Sequence, residues 1–152
     1  MTPVAPSEVL AASLLRPAYF GVAEAVVDIG GSPVAAVDVP GNKVYGVVES
    51  SRLIFESIPG IVGPPERVKL ALIYYTLARL FGVLADEKGM FVGLVTQRGG
   101  QVSTPLGSHA ELMRAASRNY QEARNLFPEA EWPPLDPEAS GGLITVRRTY
   151  VP

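Results

Sequence analysis

The segment from Leu70 to Leu84 most constrains the fold, because it has the composition of a helix and carries a single charge, Arg79. Pro65 and Glu66 suit the first turn, where proline is tolerated and a carboxylate faces the positive end of the helix dipole. The pattern predicts a helix from Pro65 to about Ala85. A helix that is apolar on nearly every side must be covered on nearly every side. We therefore expect it to pack against copies of the same chain or against a partner.

The composition favours the same interpretation. Hydrophobic residues make up 47% of the 152-residue chain and charged residues only 18%, below the usual value of about 25%. A dense core is one explanation. Buried subunit interfaces are the explanation we favour, because such interfaces are more apolar than ordinary surface and because 15 Gly and 14 Pro leave fewer residues for a large regular core.

Several classes of function are excluded or disfavoured. The net charge of −2 provides no global basic field for nucleic acid or anionic membranes. The chain has no cysteine and one histidine, His109, which excludes disulfides, thiolate chemistry and multi-histidine metal sites. We expect no cofactor and no metal. The start of the chain does not resemble a signal peptide, and we expect its longest apolar stretch to be too short for the roughly 20 residues of a membrane span.

The first half of the chain predicts two helices separated by a hairpin. Ser7 is a candidate cap for a short helix from Ser7 to Leu15. Two β-branched runs flank Gly30 and Gly31, which predicts a β-hairpin near residues 25–39. Asn42 then opens a segment with helical spacing that ends before Pro59. A strand is the alternative for Val44–Val48, because its residues are β-prone.

The second half predicts an extended excursion and one more helix. Residues 90–104 flank a Gly-Gly pair at 99 and 100 and predict a second hairpin or an extended loop. Ser108 and Glu111 fit a capping box, and the helix that follows ends at Pro128. Its charged residues include Arg118 and Glu122, which have the i,i+4 spacing of an ion pair.

We predict an extended C-terminal arm over residues 129–152. Its proline and glycine residues oppose a compact helix, and residues 143–151 are β-prone with partial alternation. Such a strand can add to the sheet edge of a neighbour or fold back on its own subunit, and the sequence leaves both open. Arg147 and Arg148 have no acid near them in sequence, so we expect them, with Tyr150, to contact another surface.

One motif points toward enzymology. The residues from Asp28 to Ser32 resemble the first phosphate loop of sugar kinases and actin-like ATPases. That fold requires two large lobes and a second phosphate loop, roughly twice this length, and nothing downstream supplies them. A plain hairpin turn explains the residues better. His109 is the only imidazole, and it lies in the first turn of a predicted helix, where exposure is common. We therefore see no nucleophile–base pair and predict that the protein is not an enzyme.

The helical segments resemble the head–tail connector (adaptor) proteins of tailed bacteriophages. The resemblance covers about residues 43–127 and is carried by Ser51–Glu56, by the "Val-Lys-x-Ala" helix over Pro65–Phe81, and by Val95–Ser103 as the extended loop before the last helix. The N-terminal hairpin and the C-terminal arm are not part of the simplest pattern.

The resemblance implies a structural virion protein assembled in the host cytoplasm. Such proteins form a ring, commonly of twelve copies, that joins the portal to the tail or neck proteins and extends the DNA channel with passive DNA contact. This resemblance agrees with the fold class that we predict, which is mainly α. We expect a small helix bundle over residues 1–128 with β-hairpin excursions, followed by an extended arm. If the hairpins form a sheet, the fold class is α+β. The expected interface residues are Tyr74, Leu77, Phe81, Arg147, Arg148 and Tyr150.

Two alternatives belong to other classes. One is a coat subunit of a helical or filamentous virus, which would form an open filament in place of a closed ring. The other is a small cellular ligand-binding or regulatory domain that uses the turn from Asp28 to Ser32 as its binding loop. A nucleotide-stabilised monomer would indicate the latter.

Overall fold

A computed structural model describes residues 3–97 and 108–135, without the side chains of residues 88–97. In this part of the chain the fold is mainly α-helical, with four α-helices and a small two-stranded antiparallel sheet, so the predicted fold class is confirmed. The elements in chain order are α1 (Pro6–Ala11), β1 (Val26–Ile29), β2 (Ser32–Ala35), α2 (Lys43–Glu56), α3 (Pro65–Gln97) and α4 (His109–Leu126).

Helix α1 begins at Pro6 and ends at Ala11, four residues before the predicted end at Leu15. Ser7 is not its N-cap; the N-cap residue is Ala5, which makes no side-chain cap. The carboxylate of Asp38 caps the helix instead, since it accepts hydrogen bonds from Ser7 N at 2.8 Å and from Ser7 Oγ at 2.6 Å. A carboxylate is favoured there because the first turn of a helix leaves backbone N–H groups unpaired.

The predicted hairpin is present, with Val26 paired to Ala35 and Ile29 paired to Ser32. Its turn places Gly30 at φ 57° and Gly31 at φ 86°. Both angles are left-handed, as the tight turns that match strand twist require, and glycine adopts them without steric cost.

Helix α2 includes residues 44–48, so the alternative of a strand there is wrong. Asn42 is its N-cap, and the Asn42 side chain accepts a hydrogen bond from Tyr45 N at 2.8 Å. Its buried residues lie at i, i+4, i+7 and i+11, which is one helical stripe: Val44, Val48, Ser51 and Phe55.

Helix α3 is 33 residues long and continues to Gln97. The prediction that it ends near Ala85 is therefore wrong, and residues 90–97 are helical where we expected part of a hairpin or an extended loop. A short apolar run such as residues 90–96 can form either a strand or a helix. The helix is favoured here because a run that extends an existing helix needs no new nucleation. The rest of the predicted excursion, residues 98–104, lies outside the described residues.

The hydrophobic core surrounds the first five turns of α3, which packs against α4, α2 and α1. Side chains of this helix that are fully or almost fully buried include Ala71, Leu72, Tyr75, Leu77, Ala78 and Leu80. Much of α3 is thus covered inside its own chain, contrary to our expectation that one chain could hardly cover it. Arg79 is tolerated because its Nη1 donates to Ser50 Oγ at 2.8 Å and Ser51 Oγ at 3.0 Å on α2.

Residues Pro65–Glu87 are long and apolar enough to cross a membrane by length and composition, with 56% of the window buried inside the fold. Our expectation that no stretch is long enough is therefore wrong for this helix. The core helix of a soluble protein passes the same test, and the packing of α3 among α1, α2 and α4 is of that kind.

The chain after α4 returns to the helices. Glu131 N donates to Pro59 O at 3.0 Å, and Trp132 Nε1 donates to Phe127 O at 2.9 Å. The first residues of the segment that we predicted as an arm, 129–135, therefore contact the helices of their own chain. Residues 136–152 lie outside the described part of the chain.

Candidate protein-docking groove

The three predicted interface residues of α3 differ in their surroundings. Leu77 is 2% exposed and belongs to the core of its own chain. Tyr74 and Phe81 are half-buried and pack against the edge of that core. They are seven residues apart, so they share one face of the helix. Arg147, Arg148 and Tyr150 lie outside the described residues.

Phe81 lines a groove of about 430 Å³ between α3, α4 and the chain that follows α1. The apolar side chains that line it are Leu14, Leu15, Phe81, Leu112 and Ala115. The charged side chains are Glu111, Arg114 and Arg118, all from α4. We call this surface the α3–α4 groove.

The local structure after α1 explains one wall of the groove. Ser13 Oγ donates to Leu10 O at 3.2 Å and accepts from Leu15 N at 3.1 Å. This turn buries Leu15 at 4% exposure and leaves Leu14 at 89% exposure. Leu14 is therefore a large apolar side chain held out at the edge of the groove by a structured turn.

Helix α4 supplies the opposite wall. It begins with the predicted capping box, which is confirmed: Glu111 N donates to Ser108 Oγ at 3.2 Å, and Ser108 N donates to Glu111 Oε1 at 2.7 Å. Leu112 and Ala115 point to the interior and are buried. Arg114 and Arg118, four residues apart, project from the same side of the helix at the rim.

The rim of the groove is electropositive. The carboxylate of Glu111 accepts the capping hydrogen bond from Ser108 N. Among the described residues, neither Arg114 nor Arg118 has an ion-pair partner. The predicted pair between Arg118 and Glu122 is not formed within 4.0 Å in this part of the chain. Two exposed guanidinium groups beside an apolar floor suit a partner that presents a carboxylate next to apolar side chains.

A second unusual surface lies on the hairpin. Val26 is 68% exposed and Ile29 is 53% exposed. Asp28 is exposed between them and forms no ion pair among the described residues. Nothing lies within 4 Å of a Cβ placed on Gly30 or Gly31, so the turn is open.

His109 has a structural contact that the sequence did not indicate. The ring is exposed, as its place in the first turn of a helix suggests, yet its Nδ1 lies 2.8 Å from Ala85 O. Because a carbonyl oxygen accepts, Nδ1 carries the proton in this contact. The only imidazole in the chain thus ties the start of α4 to the middle of α3.

Sequence reasoning found Phe81 but missed the rest of the groove. The signal in sequence was the pair of arginines four residues apart on a face of α4 that also reaches the apolar stripe. Leu14 carried no signal, because its exposure depends on where α1 ends. Among the described residues, no group of three or more His, Asp or Glu side chains is placed to hold a metal ion.

Comparisons with known proteins identify no relative. No known protein family, no curated protein and no solved structure matches this chain.

Proposed function

We propose that this chain is a structural subunit of a closed homo-oligomeric ring, of the head–tail connector type that its sequence resembles. The observation that carries the proposal is the α3–α4 groove, where apolar side chains meet two exposed arginines that have no ion-pair partner in the described part of the chain. An interface core is apolar and its rim polar, and arginine is enriched there. The groove has this composition.

The order of elements also supports the connector proposal. The residues that carry the resemblance lie at the end of α2 and in the first half of α3, separated by a turn that contains Pro59 and Pro64. A further helix, α4, follows. One feature departs from the resemblance, since Val95–Gln97 belongs to α3 where an extended loop is implied.

On this proposal the function is mechanical. The protein is not an enzyme, it needs no cofactor, and its partners are copies of itself, the portal and the tail or neck proteins of a virion. DNA passes through the ring without specific contacts.

The test is to purify the protein and determine its mass by light scattering over a range of concentrations, with negative-stain images of the largest species. We expect a closed ring of defined mass, and binding of that ring to the portal protein encoded in the same genome. An open filament would indicate a helical coat subunit. A monomer stabilised thermally by a nucleotide would indicate a small ligand-binding domain, and either result would refute the ring.

A further inference from the structure

We infer that the α3–α4 groove receives the β1–β2 hairpin of a second copy of this chain, with Asp28 of one copy paired to Arg114 and Arg118 of the next. This inference rests on the proposed function, since it names the contact between neighbouring subunits.

The hairpin presents an apolar face with an acid in its centre. Paired residues of antiparallel strands project to the same side of the ribbon, and residues two apart share a face. Asp28 is paired with Pro33, and Val26 is two residues from Asp28. One face of the ribbon therefore carries Val26, Asp28 and Pro33, all exposed.

The ribbon has little support from the part of the chain that the structure describes. It consists of two strands of four residues each, and an isolated two-stranded hairpin is at best marginally stable in water. Its base is tied down, because Ala36 N donates to Ala25 O at 2.8 Å, but Val26 and Ile29 remain exposed. Val26 lies on the same face as Asp28, and Ile29 lies on the opposite face. The face with Val26 and Asp28 is therefore free, among the described residues, to contact another molecule.

The charges of the two surfaces are complementary. The ribbon face offers one carboxylate flanked by apolar side chains. The groove offers an apolar floor, two guanidinium groups and the Glu111 carboxylate, which is engaged in the helix cap. Among the described residues, neither Asp28 nor the two arginines have an ion-pair partner. Burial of Val26 and Pro33 against Leu14 and Phe81 would place the carboxylate within reach of the arginines. A carboxylate and a guanidinium make strong charge-assisted hydrogen bonds.

The C-terminal arm of the same chain is a poorer occupant. Arg147 and Arg148 lie in a segment with no acid after Glu138, so it would bring like charges to Arg114 and Arg118. Like charges at an interface are costly and suppress pairing.

The contact joins two different surfaces, so it is heterologous. Such contacts run head to tail and close into a ring when the rotation between copies divides a full turn. A ring built from this contact agrees with the proposed function. The groove by itself does not require a ring.

The first test uses charge reversal. Asp28→Lys and the double variant Arg114→Glu with Arg118→Glu should each weaken self-assembly at least tenfold in light scattering. An equimolar mixture of the two variants should assemble again, because each interface in the mixture then joins opposite charges. Glu129→Lys, at an exposed site after the end of α4 that belongs neither to the groove lining nor to the hairpin, is the matched control and should assemble like the unmodified chain. Circular dichroism should show the same helix content in all variants.

The second test uses cysteine pairs, since the chain has no cysteine of its own. Val26→Cys mixed with Leu14→Cys should form a disulfide-linked dimer under mild oxidation, and Leu14→Cys mixed with Val62→Cys should not. Val62 is 84% exposed and precedes the start of α3. At 1.5 Å per residue, that start lies roughly 24 Å along the helix from Phe81 in the groove. Val62 is therefore an exposed position far from the groove.

The outcomes separate the two proposals. If the unmodified chain forms rings that neither charge reversal weakens, and the Val26–Leu14 pair does not cross-link, the hairpin–groove contact is refuted and the ring stands. If the unmodified chain remains a monomer at every concentration, the ring itself is refuted, and the contact that rests on it is refuted with it.

Discussion

The indole ring of Trp132 meets the phenol ring of Tyr120 edge to face, with centroids 6.0 Å apart and ring planes at 87°. Trp132 also lies 5.9 Å from Phe55 and 6.0 Å from Tyr75 by ring centroids. One side chain from the segment after α4 therefore contacts α2, α3 and α4. Aromatic pairs in this geometry stabilise beyond the area they bury.

We expect Trp132→Ala to lower the free energy of unfolding by about 2–3 kcal/mol, below the range for fully buried aromatic residues because Trp132 is half-buried. Trp132→Phe retains an aromatic ring but loses the hydrogen bond to Phe127 O. It should lower the free energy of unfolding by less than Trp132→Ala does. Urea unfolding followed by circular dichroism measures both. Equal stability of the alanine variant and the parent chain would show that residues 129–135 do not belong to the folded body.

Tyr120 gives a pH-dependent prediction. Burial raises the pKa of Tyr120 above its usual value of 10.0, against a smaller opposite effect of Arg124. The folded state therefore holds the phenolic proton to higher pH than the unfolded state does. The contribution of Tyr120 to the free energy of unfolding is therefore complete below about pH 10 and is lost as the pH rises through the raised pKa.

Tyr120→Phe tests this linkage. The hydroxyl of Tyr120 donates to Pro133 O, so at pH 8 the variant should be less stable by about 1 kcal/mol. The difference should shrink between pH 10 and 11, where the unfolded tyrosine loses its proton. Urea unfolding at several pH values measures both effects, and a difference that widens with pH would contradict the assignment.

Two glycines should respond in opposite directions to alanine. Gly60 has φ 95°, and a Cβ there would lie 2.9 Å from the Cα of Ala130, so Gly60→Ala should cost about 1–3 kcal/mol or more. Gly46 is exposed in the first turn of α2, with nothing within 4 Å of the same position. Gly46→Ala should therefore stabilise by about 0.5–1 kcal/mol. Thermal unfolding of the pair measures the contrast, and a shift in the same direction would contradict the structure.

Leu77 and Leu70 form a matched pair on α3. Leu77→Asp places a carboxylate at a site that is 2% exposed, and a buried charge without a partner costs several kcal/mol. We expect aggregation or loss of folding. Leu70 is 42% exposed, so Leu70→Asp should remain folded. Soluble yield and thermal unfolding compare them, and a folded, stable Leu77→Asp protein would show that this face of α3 is not in the core.

The C-terminal arm remains a prediction about partners. Deletion of residues 139–152 should leave the helical body folded and weaken attachment to the portal-like partner. Arg147→Glu with Arg148→Glu should weaken it too, and the loss should depend on salt because exposed charges are screened. Pull-down with the portal protein at two salt concentrations measures this. If the truncated chain unfolds as a monomer, the arm is an internal strand of its own subunit.

Local chemistry made parts of the fold readable from the sequence. Asn42 and Ser108 cap their helices through side chains that reach backbone groups three residues away. Gly30 and Gly31 form the hairpin turn through their own backbone angles. Each of these features depends on a few adjacent residues, so the residue types alone predict it.

Features that depend on distant residues were not readable. The acid that caps α1 is Asp38, 31 residues after Ser7. Trp132 packs where three helices meet, and nothing in the Pro-rich sequence around it indicates a partner. The groove arises because α1 ends early and turns Leu14 toward α4, and hydrophobic periodicity does not determine that geometry.

The link between Ser7 and Asp38 has a consequence for symmetry. Asp38 lies at the base of the hairpin, and Ser7 opens the helix that leads to Leu14 in the groove. The proposed donor and acceptor surfaces are thus joined by a brace of one carboxylate and one short helix. In a head-to-tail assembly the angle between those surfaces determines how many copies complete a turn. If the proposed ring forms, Asp38→Ala should loosen the contact with Ser7 and change the number of copies in the ring, which its mass by light scattering would measure.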